Sequence, residues 1–457
     1  MGIVYQKRNK NATIYIIKYR QNTQNPKKEH SWTESAGYDK MNYREELKMN
    51  AEKIVKILRD TDYTRTGGTD EELRCAEYLA QCCREMEVEA VIEDFEVPMS
   101  RMKKAVLIAD GQEIPCKGYF CCGSGKVEAP LYYMPNNEPT AIAGAKDKIV
   151  LLDTGVGYFT YQDLYAAGAK GFITYDGNVH YSVRDIDQKE LRSYVSMGKK
   201  IPGVNINALS ALEMIRKKTQ TVCIEVEQDE YTGVSRNVVA EIPGTTDEFI
   251  TFTAHYDSTS LSKGAYDNMS GCIGLLYLME VLKASAPNRF GLKFIFCGSE
   301  ERGLLGSKAW TAVHEAELEK CVLNINLDMI GAVMGHFIAA CTSEQKLADY
   351  ISYRGAIAGV AIRTNQRVYS SDSTPFADKG VPAVSFARMG GSEVVPFHNR
   401  YDTMEEVDPD QLLEDIEFVA CFAEDMANAA VCPVKKEMPE KMRKELDEYL
   451  NRRRREN

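Results

Sequence analysis

Three apolar runs in this chain each stop at side chains able to do chemistry. "FITFTAHYD" ends on His255 and Asp257, "LKFIFCGSEE" on Glu300 and Glu301, and "VLNINLD" on Asp328. Short apolar runs bounded by glycine or acid read as buried strands. Between the first two lies "GCIGLLYLMEVLKAS", which has the length and apolar content of a buried helix. Strand and helix alternating in this way restrict Phe249 to about Ala430 to a three-layer α/β/α sandwich around a mixed, mostly parallel sheet. Functional side chains in such sheets gather beyond the carboxyl ends of the strands, where these groups fall.

The rest of the chain has a different texture. Residues 1–40 are basic, polar and aperiodic, and read as a disordered tail or as an extension ahead of a true start at Met41. Residues 41–100 read as the N-terminal part of the catalytic domain. Leu47, Ile54, Val55 and Leu58 make one helical stripe. A second helix has Asp70 as its candidate cap, with Leu73, Ala76, Tyr78 and Leu79 inward, and "VEAVIEDFEVP" is a strand closing on Pro98. Residues 101–228 form a smaller inserted unit of short strands around the helix "TYQDLYAAGAKG". Residues 229–432 complete the catalytic domain. Residues 433–457 read as a charged helix whose arginines, Arg452 to Arg455, are solvated.

In order along the chain, the candidate strand ends and loops supply His255 and Asp257, Asp267, Glu300 and Glu301, Asp328, and His398 with Asp402. Each has an ordinary explanation alone. A strand-end histidine is commonly hydrogen bonded, paired acids complement a helix N-terminus, and Asp402 can cap the turn before "MEEVD". Together they would crowd several carboxylates and two imidazoles at one sheet edge, which is repulsive without cations. With a divalent metal they become a nitrogen and oxygen donor set suited to zinc.

The series HYDS, DNMSG, SEERGLLGS, LDMIG and FHNRYDT resembles the zinc aminopeptidase family with two co-catalytic metals, which includes aminopeptidase Y, Streptomyces-type leucyl aminopeptidases and glutamate carboxypeptidase. The run "DKIVLLDTGVGYFTYQDLYAAGAKGFITYD" resembles a protease-associated domain, an insert known in that family. The resemblance implies two Zn²⁺ ions, with Co²⁺ or Mn²⁺ as substitutes. One would sit on His255 and Asp328, the other on Glu301 and His398, with Asp267 bridging and followed by a cis bond to Asn268. It gives Asp257 the place behind His255 and Glu300 the role of general base. The implied reaction is exopeptidase hydrolysis at the free N-terminus of peptide substrates. A carboxypeptidase, an N-acyl amino acid hydrolase, a glutaminyl-cyclase-like transferase and a metal-free receptor-like scaffold share the fold and are the alternatives.

Two departures bear on substrate. Where the family often shows "SDH.PF", this chain has "SSDSTPF", with Ser373 in place of the histidine. The oxyanion-assisting residue has only Tyr369 and Tyr401 as candidates, and Arg388 either contacts substrate or braces a loop. His30, His180, His314 and His336 stand outside the motif series. A formal net charge of -11 argues against nucleic acid as the partner. No apolar run is long enough for a membrane span. Scattered cysteines without metal-ribbon spacing, and no signal-peptide pattern, suggest a reducing cytoplasm. No oligomeric state is assigned.

Overall fold

The computed structural model describes residues 49–153, 155–391, 395 and 397–454. The tail expected over residues 1–40, the start at Met41, Leu47 and Arg455 lie outside the described residues.

The catalytic part of the sheet runs Ile362–Gln366, His336–Thr342, Ala383–Met389, Cys321–Leu327, Phe249–His255, Gly291–Cys297 and Thr221–Ile242. The four strands Ala383–Met389 through Gly291–Cys297 are mutually parallel, so their carboxyl ends share one edge. His336–Thr342 and Thr221–Ile242 run antiparallel to their neighbours at either side. Period-two alternation feeds both faces. Phe252, Phe294 and Phe296 enter one buried cluster with helices Ala51–Asp60, Asp70–Glu85, Ser270–Ala284 and Pro409–Ala427. Ile295 and Cys297 enter a second cluster with Trp310 and Phe376 from helices Leu305–Val313 and Ser373–Asp378. The expected three-layer α/β/α sandwich is present.

One ladder joins this core to the inserted segment. Strand Thr221–Ile242 pairs antiparallel with Ala90–Ala109 along nearly its whole length, with a bulge between Met102 and Lys104. Its C-terminal half also carries Gly291–Cys297, and its N-terminal half carries Gly125–Met134. From there the sheet continues in parallel through Ile149–Leu152, Gly171–Asp176 and Gly203–Asn207. These strands and helix Tyr158–Ala167 bury a separate cluster that includes Leu107, Ile149, Leu164, Phe172 and Ile206. All thirteen cysteines are free thiols. Among the described residues, no helix is long and apolar enough to cross a membrane.

Three local expectations change. The cap of helix Asp70–Glu85 is Thr69, not Asp70, because Thr69 is the extended residue whose hydroxyl accepts from Glu72 N. The strand does not close on Pro98 but runs through it. Pro98 has a partner on one side only, Thr232, so no ladder donor is lost. Arg452 and Arg454 stay more than half exposed but are paired with acids. Arg452 donates to both oxygens of Asp378 at 2.6 and 2.8 Å, and Arg454 to both of Asp163 at 2.7 and 2.6 Å. The helix before them, Glu440–Tyr449, buries Met442 and Leu446 against Ala377 and Ala383.

Candidate metal centre and active site

His255 is the last residue of its strand, Glu300 and Glu301 follow Gly291–Cys297, and Asp328 follows Cys321–Leu327. Asp267 lies in the turn opening helix Ser270–Ala284, and His398 in the loop after Ala383–Met389. Asp267 is the hub. Its Oδ1 is 3.1 Å from His255 Nε2 and its Oδ2 is 3.0 Å from His398 Nε2. His255 Nε2 also lies 3.5 Å from Asp328 Oδ1, and His398 Nε2 lies 3.1 Å from Glu301 Oε2. His255, Asp267 and Asp328 form one potential donor triad, and Asp267, Glu301 and His398 another, the donor atoms of each lying within 4.8 Å of one another.

The surrounding sequence fixes this arrangement. Asp402 is fully buried and accepts from Tyr266 N at 2.8 Å, Asp267 N at 3.2 Å and Ser262 Oγ at 2.9 Å. The Asp267–Asn268 peptide is cis. Asn268 then ties two site loops together, donating to Leu327 O at 2.9 Å and accepting from Met329 N at 3.0 Å. Gly264 precedes them at φ +61°, and a Cβ there would stand 2.6 Å from Asp267 O. Arg65, wholly buried, spends its guanidinium on five carbonyls, among them Tyr256, Lys263 and Gly264.

Asp257 sits behind His255, with its Oδ1 3.5 Å from Nδ1. Its carboxylate accepts Glu300 N at 2.9 Å and Glu301 N at 3.2 Å, so one acid orients the imidazole and the paired glutamates. Glu72 supports the same loop from below through Ser299 Oγ at 3.3 Å and Ser235 Oγ at 2.6 Å.

Burial opposes charge at every one of these groups. At Asp267 the hydrogen bonds from both imidazoles outweigh it and hold the carboxyl well below its usual range. Burial would lower His255 and His398, but the charges of Glu300 and Glu301 and the hydrogen bonds to the other acids hold both well above the usual imidazole range. Glu300 goes the other way. Burial, then Glu301, Asp372 and Asp328, push its carboxyl far up against the pull of His255, whose Nε2 is 3.9 Å away.

The donor set fits a metal on this structure's own terms. Glu301 Oε1 and Asp328 Oδ1 are buried with no hydrogen-bond partner, which is costly for a carboxylate unless a cation takes it.

The other sequence candidates are held by contacts of their own. Ser373 is buried against Ser385 Oγ at 2.8 Å, and Tyr369 OH contacts Met389 Sδ at 3.4 Å. Tyr401 is exposed and packs edge-on against Tyr181. Arg388 braces a loop, donating to Asp415 at 2.8 and 2.5 Å. His314 is held by Glu317 and Glu93, away from the site. Sequence reasoning missed Asp402 as the clamp on Asp267, although "FHNRYDT" put it four residues after His398. It also missed Glu72 and Arg192, which no local pattern marks.

A cavity of about 430 Å³ opens beside the centre. Glu301 and His398 lie on its wall together with Ser258 to Ser260, and the inserted segment lines it too, including Tyr119, Gln188 and Arg192.

Residues 237–422 match peptidase family M28. The chain carries an M28 peptidase domain. It is a hydrolase of the metallopeptidase class. Aminopeptidase YwaD of Bacillus subtilis is 28% identical over 362 residues, covering 76% of this chain and 73% of that protein. Leucine aminopeptidase 2 of Trichophyton rubrum is 28% identical over 252 residues, which is 50% of this chain and 47% of the fungal protein. The solved structure of BSAP, a zinc aminopeptidase from Bacillus subtilis, superposes with a TM-score of 0.70 at 24% identity, over 86% of this chain and 98% of that one. An aminopeptidase from Aneurinibacillus sp. strain AM-1 gives 0.67 at 22% identity, over 84% and 96%. These two likenesses show a shared fold.

Proposed function

We propose that this chain is a zinc-dependent aminopeptidase with two metal ions, hydrolysing the first peptide bond of substrates with a free N-terminus. The observation that carries this reading is Asp267, with each oxygen on a different imidazole, each imidazole having a second acid, and two buried carboxylate oxygens otherwise unpartnered. The M28 match and the aminopeptidase name of the YwaD relative support it. His255, Asp267 and Asp328 would hold one ion, and Asp267, Glu301 and His398 the other. Zinc bound there supplies Lewis acidity toward the scissile carbonyl and makes water acidic enough to react near neutral pH.

The chain's own groups do the rest. Glu300 takes the proton of the attacking water and passes it to the leaving amine. A carboxyl whose proton affinity burial has raised is suited to holding that proton between steps. Asp257 fixes the backbone of Glu300 and Glu301, and Asp402 fixes Asp267. Residues 101–228 act as a protease-associated-like accessory unit, a reading supported by their own buried cluster and by their place on the cavity wall.

The test is to strip the protein with chelator and titrate zinc back while following leucine p-nitroanilide hydrolysis and bound metal. Activity should return as the second ion binds. Full activity in metal-free protein would overturn the reading.

A further inference from the structure

The cavity wall sorts its cations into two kinds. Arg302 has Glu190 at 2.8 Å, and Lys189 has Asp187 at 2.9 Å and Asp176 at 3.3 Å. Arg192, also on the wall, and Lys308, which is not among its lining residues, have no such acid: among the described residues neither forms an ion pair.

Arg192 is half-buried on the cavity wall, contributed by the inserted segment. Its Nη2 donates to Glu301 O at 2.7 Å and its Nη1 to Tyr194 OH at 3.3 Å. Lys308, half-buried in helix Leu305–Val313, donates to Gly303 O at 2.8 Å, and its ammonium stands 5.3 Å from the centre of the Tyr194 ring. Gly303 lies between them at φ +112°, and a Cβ there would meet Arg192 Cδ and Tyr194 Cε1 at 3.5 Å. Two cations therefore close on one tyrosine and one glycine, in the loop that carries Glu300 and Glu301. Burial and the charge of Arg192 hold the Lys308 ammonium below its usual range. Glu300 acts on both through space but is in an ion pair with neither. Neither cation has an ion-paired acid of its own, so an arriving anion can pair with both.

We propose that Arg192 and Lys308 receive a carboxylate on the leaving side of the scissile bond, so that the enzyme prefers short peptides bearing one there. This rests on the aminopeptidase reading. Arg192 touches the Glu301 backbone and shares the cavity with Glu301 and His398, and one extended residue spans about 3.5 Å. A carboxylate one or two residues beyond the cleaved bond is therefore within reach. Two sources share this chemistry, the C-terminal carboxylate of a di- or tripeptide and an acidic side chain, and the substrates below separate them.

The experiment measures kcat/KM of zinc-loaded full-length protein on Leu-Gly, Leu-Gly-Gly and their amides, on Leu-Glu amide against Leu-Gln amide, and on leucine p-nitroanilide. Charge-assisted recognition predicts a ratio of roughly 10- to 100-fold for the free acid over its amide, or for Glu over Gln. The pair with the larger ratio identifies the source. Arg192→Gln and Lys308→Met should each bring that ratio toward unity, and Arg192→Lys should restore part of it. Each ratio is internal to one variant, so a general loss of activity cancels. Calorimetry of Leu-Gly against Leu-Gly amide on zinc-loaded Glu300→Gln should show the same preference without turnover. Equal rates for acids and amides in the wild type, or a preference surviving in both variants, would overturn the proposal. Absence of any leucine p-nitroanilide hydrolysis would instead overturn the aminopeptidase reading beneath it.

Discussion

The two walls of the cavity are built on opposite principles. On the M28 side, the acids are buried and held in place by groups that are buried with them. Asp402 clamps the backbone around Asp267, Asp257 clamps the paired glutamates, and Asn268 joins two loops. On the inserted side, Lys189, Glu190 and Arg192 are half-buried, and ion pairs such as Lys189–Asp187 and Arg302–Glu190 hold the charged groups. Buried hydrogen-bonded networks are costly to disturb, whereas half-buried side chains lining a cavity can be exchanged with less loss. The difference separates chemistry from selection. Substitutions on the first wall should abolish turnover, and those on the second should change which substrate is turned over.

Removing the hub should have the largest effect. Asp267→Ala takes a donor from both triads and should lose bound zinc together with activity. Glu300→Gln should keep its zinc and lose about 10²- to 10⁴-fold in kcat, the usual share of a general base. Metal analysis beside kinetics distinguishes them, and equal metal loss in both would mean Glu300 is a ligand. Asp402→Asn should be intermediate. An asparagine offers one acceptor where Tyr266 N and Asp267 N need two, so a donor would face a donor. Loss of such a supporting group typically costs about 10- to 100-fold in metal affinity, readable as a shifted zinc titration.

A pH series sharpens the same contrast. Burial, then the charge of Asp257, raises Glu72 to about 7 against an ordinary 4.5. Between those values the folded chain holds a proton that the unfolded chain has released. Its contribution is therefore fully present below pH 4.5 and declines as pH rises through the folded value. Wild type should lose thermal stability across that window relative to Glu72→Gln, with a difference in slope approaching about 1.4 kcal/mol per pH unit. Parallel melting curves would show that Glu72 is ionised throughout.

The sandwich was legible because apolar runs of strand length cannot hide their period, and part of the candidate donor set because His255, Glu301 and Asp328 stand where such runs end. His255, Glu300, Glu301 and Asp328 are visible for that reason. Arg192 carries no such mark. It lies in an aperiodic loop more than a hundred residues from Glu301, and long-range pairing such as the ladder of Ala90–Ala109 with Thr221–Ile242 brings the two together. Thr69 and Pro98 show a smaller version of the limit. Cap identity depends on which residue turns extended, and a proline is tolerated in a strand only where an edge is free. Neither fact is local to the sequence.

The smallest expected effect concerns the C-terminal arginines, which composition alone assigned to solvent. Arg454 bonds both oxygens of Asp163 and lies 4.8 Å from the ring of Phe159, so the end of the chain reaches back to the inserted unit. Geometry this good invites a strong role, yet the Arg454 side chain is 59% exposed. Screening at that exposure limits the pair to below about 1 kcal/mol. A double-mutant cycle of Arg454→Gln and Asp163→Asn should give a coupling of that size, shrinking further in high salt, with leucine p-nitroanilide turnover unchanged. A salt-resistant coupling above about 2 kcal/mol would break the contrast between the walls. The inserted side would then be clamped as firmly as the metal side, by a segment outside the family match.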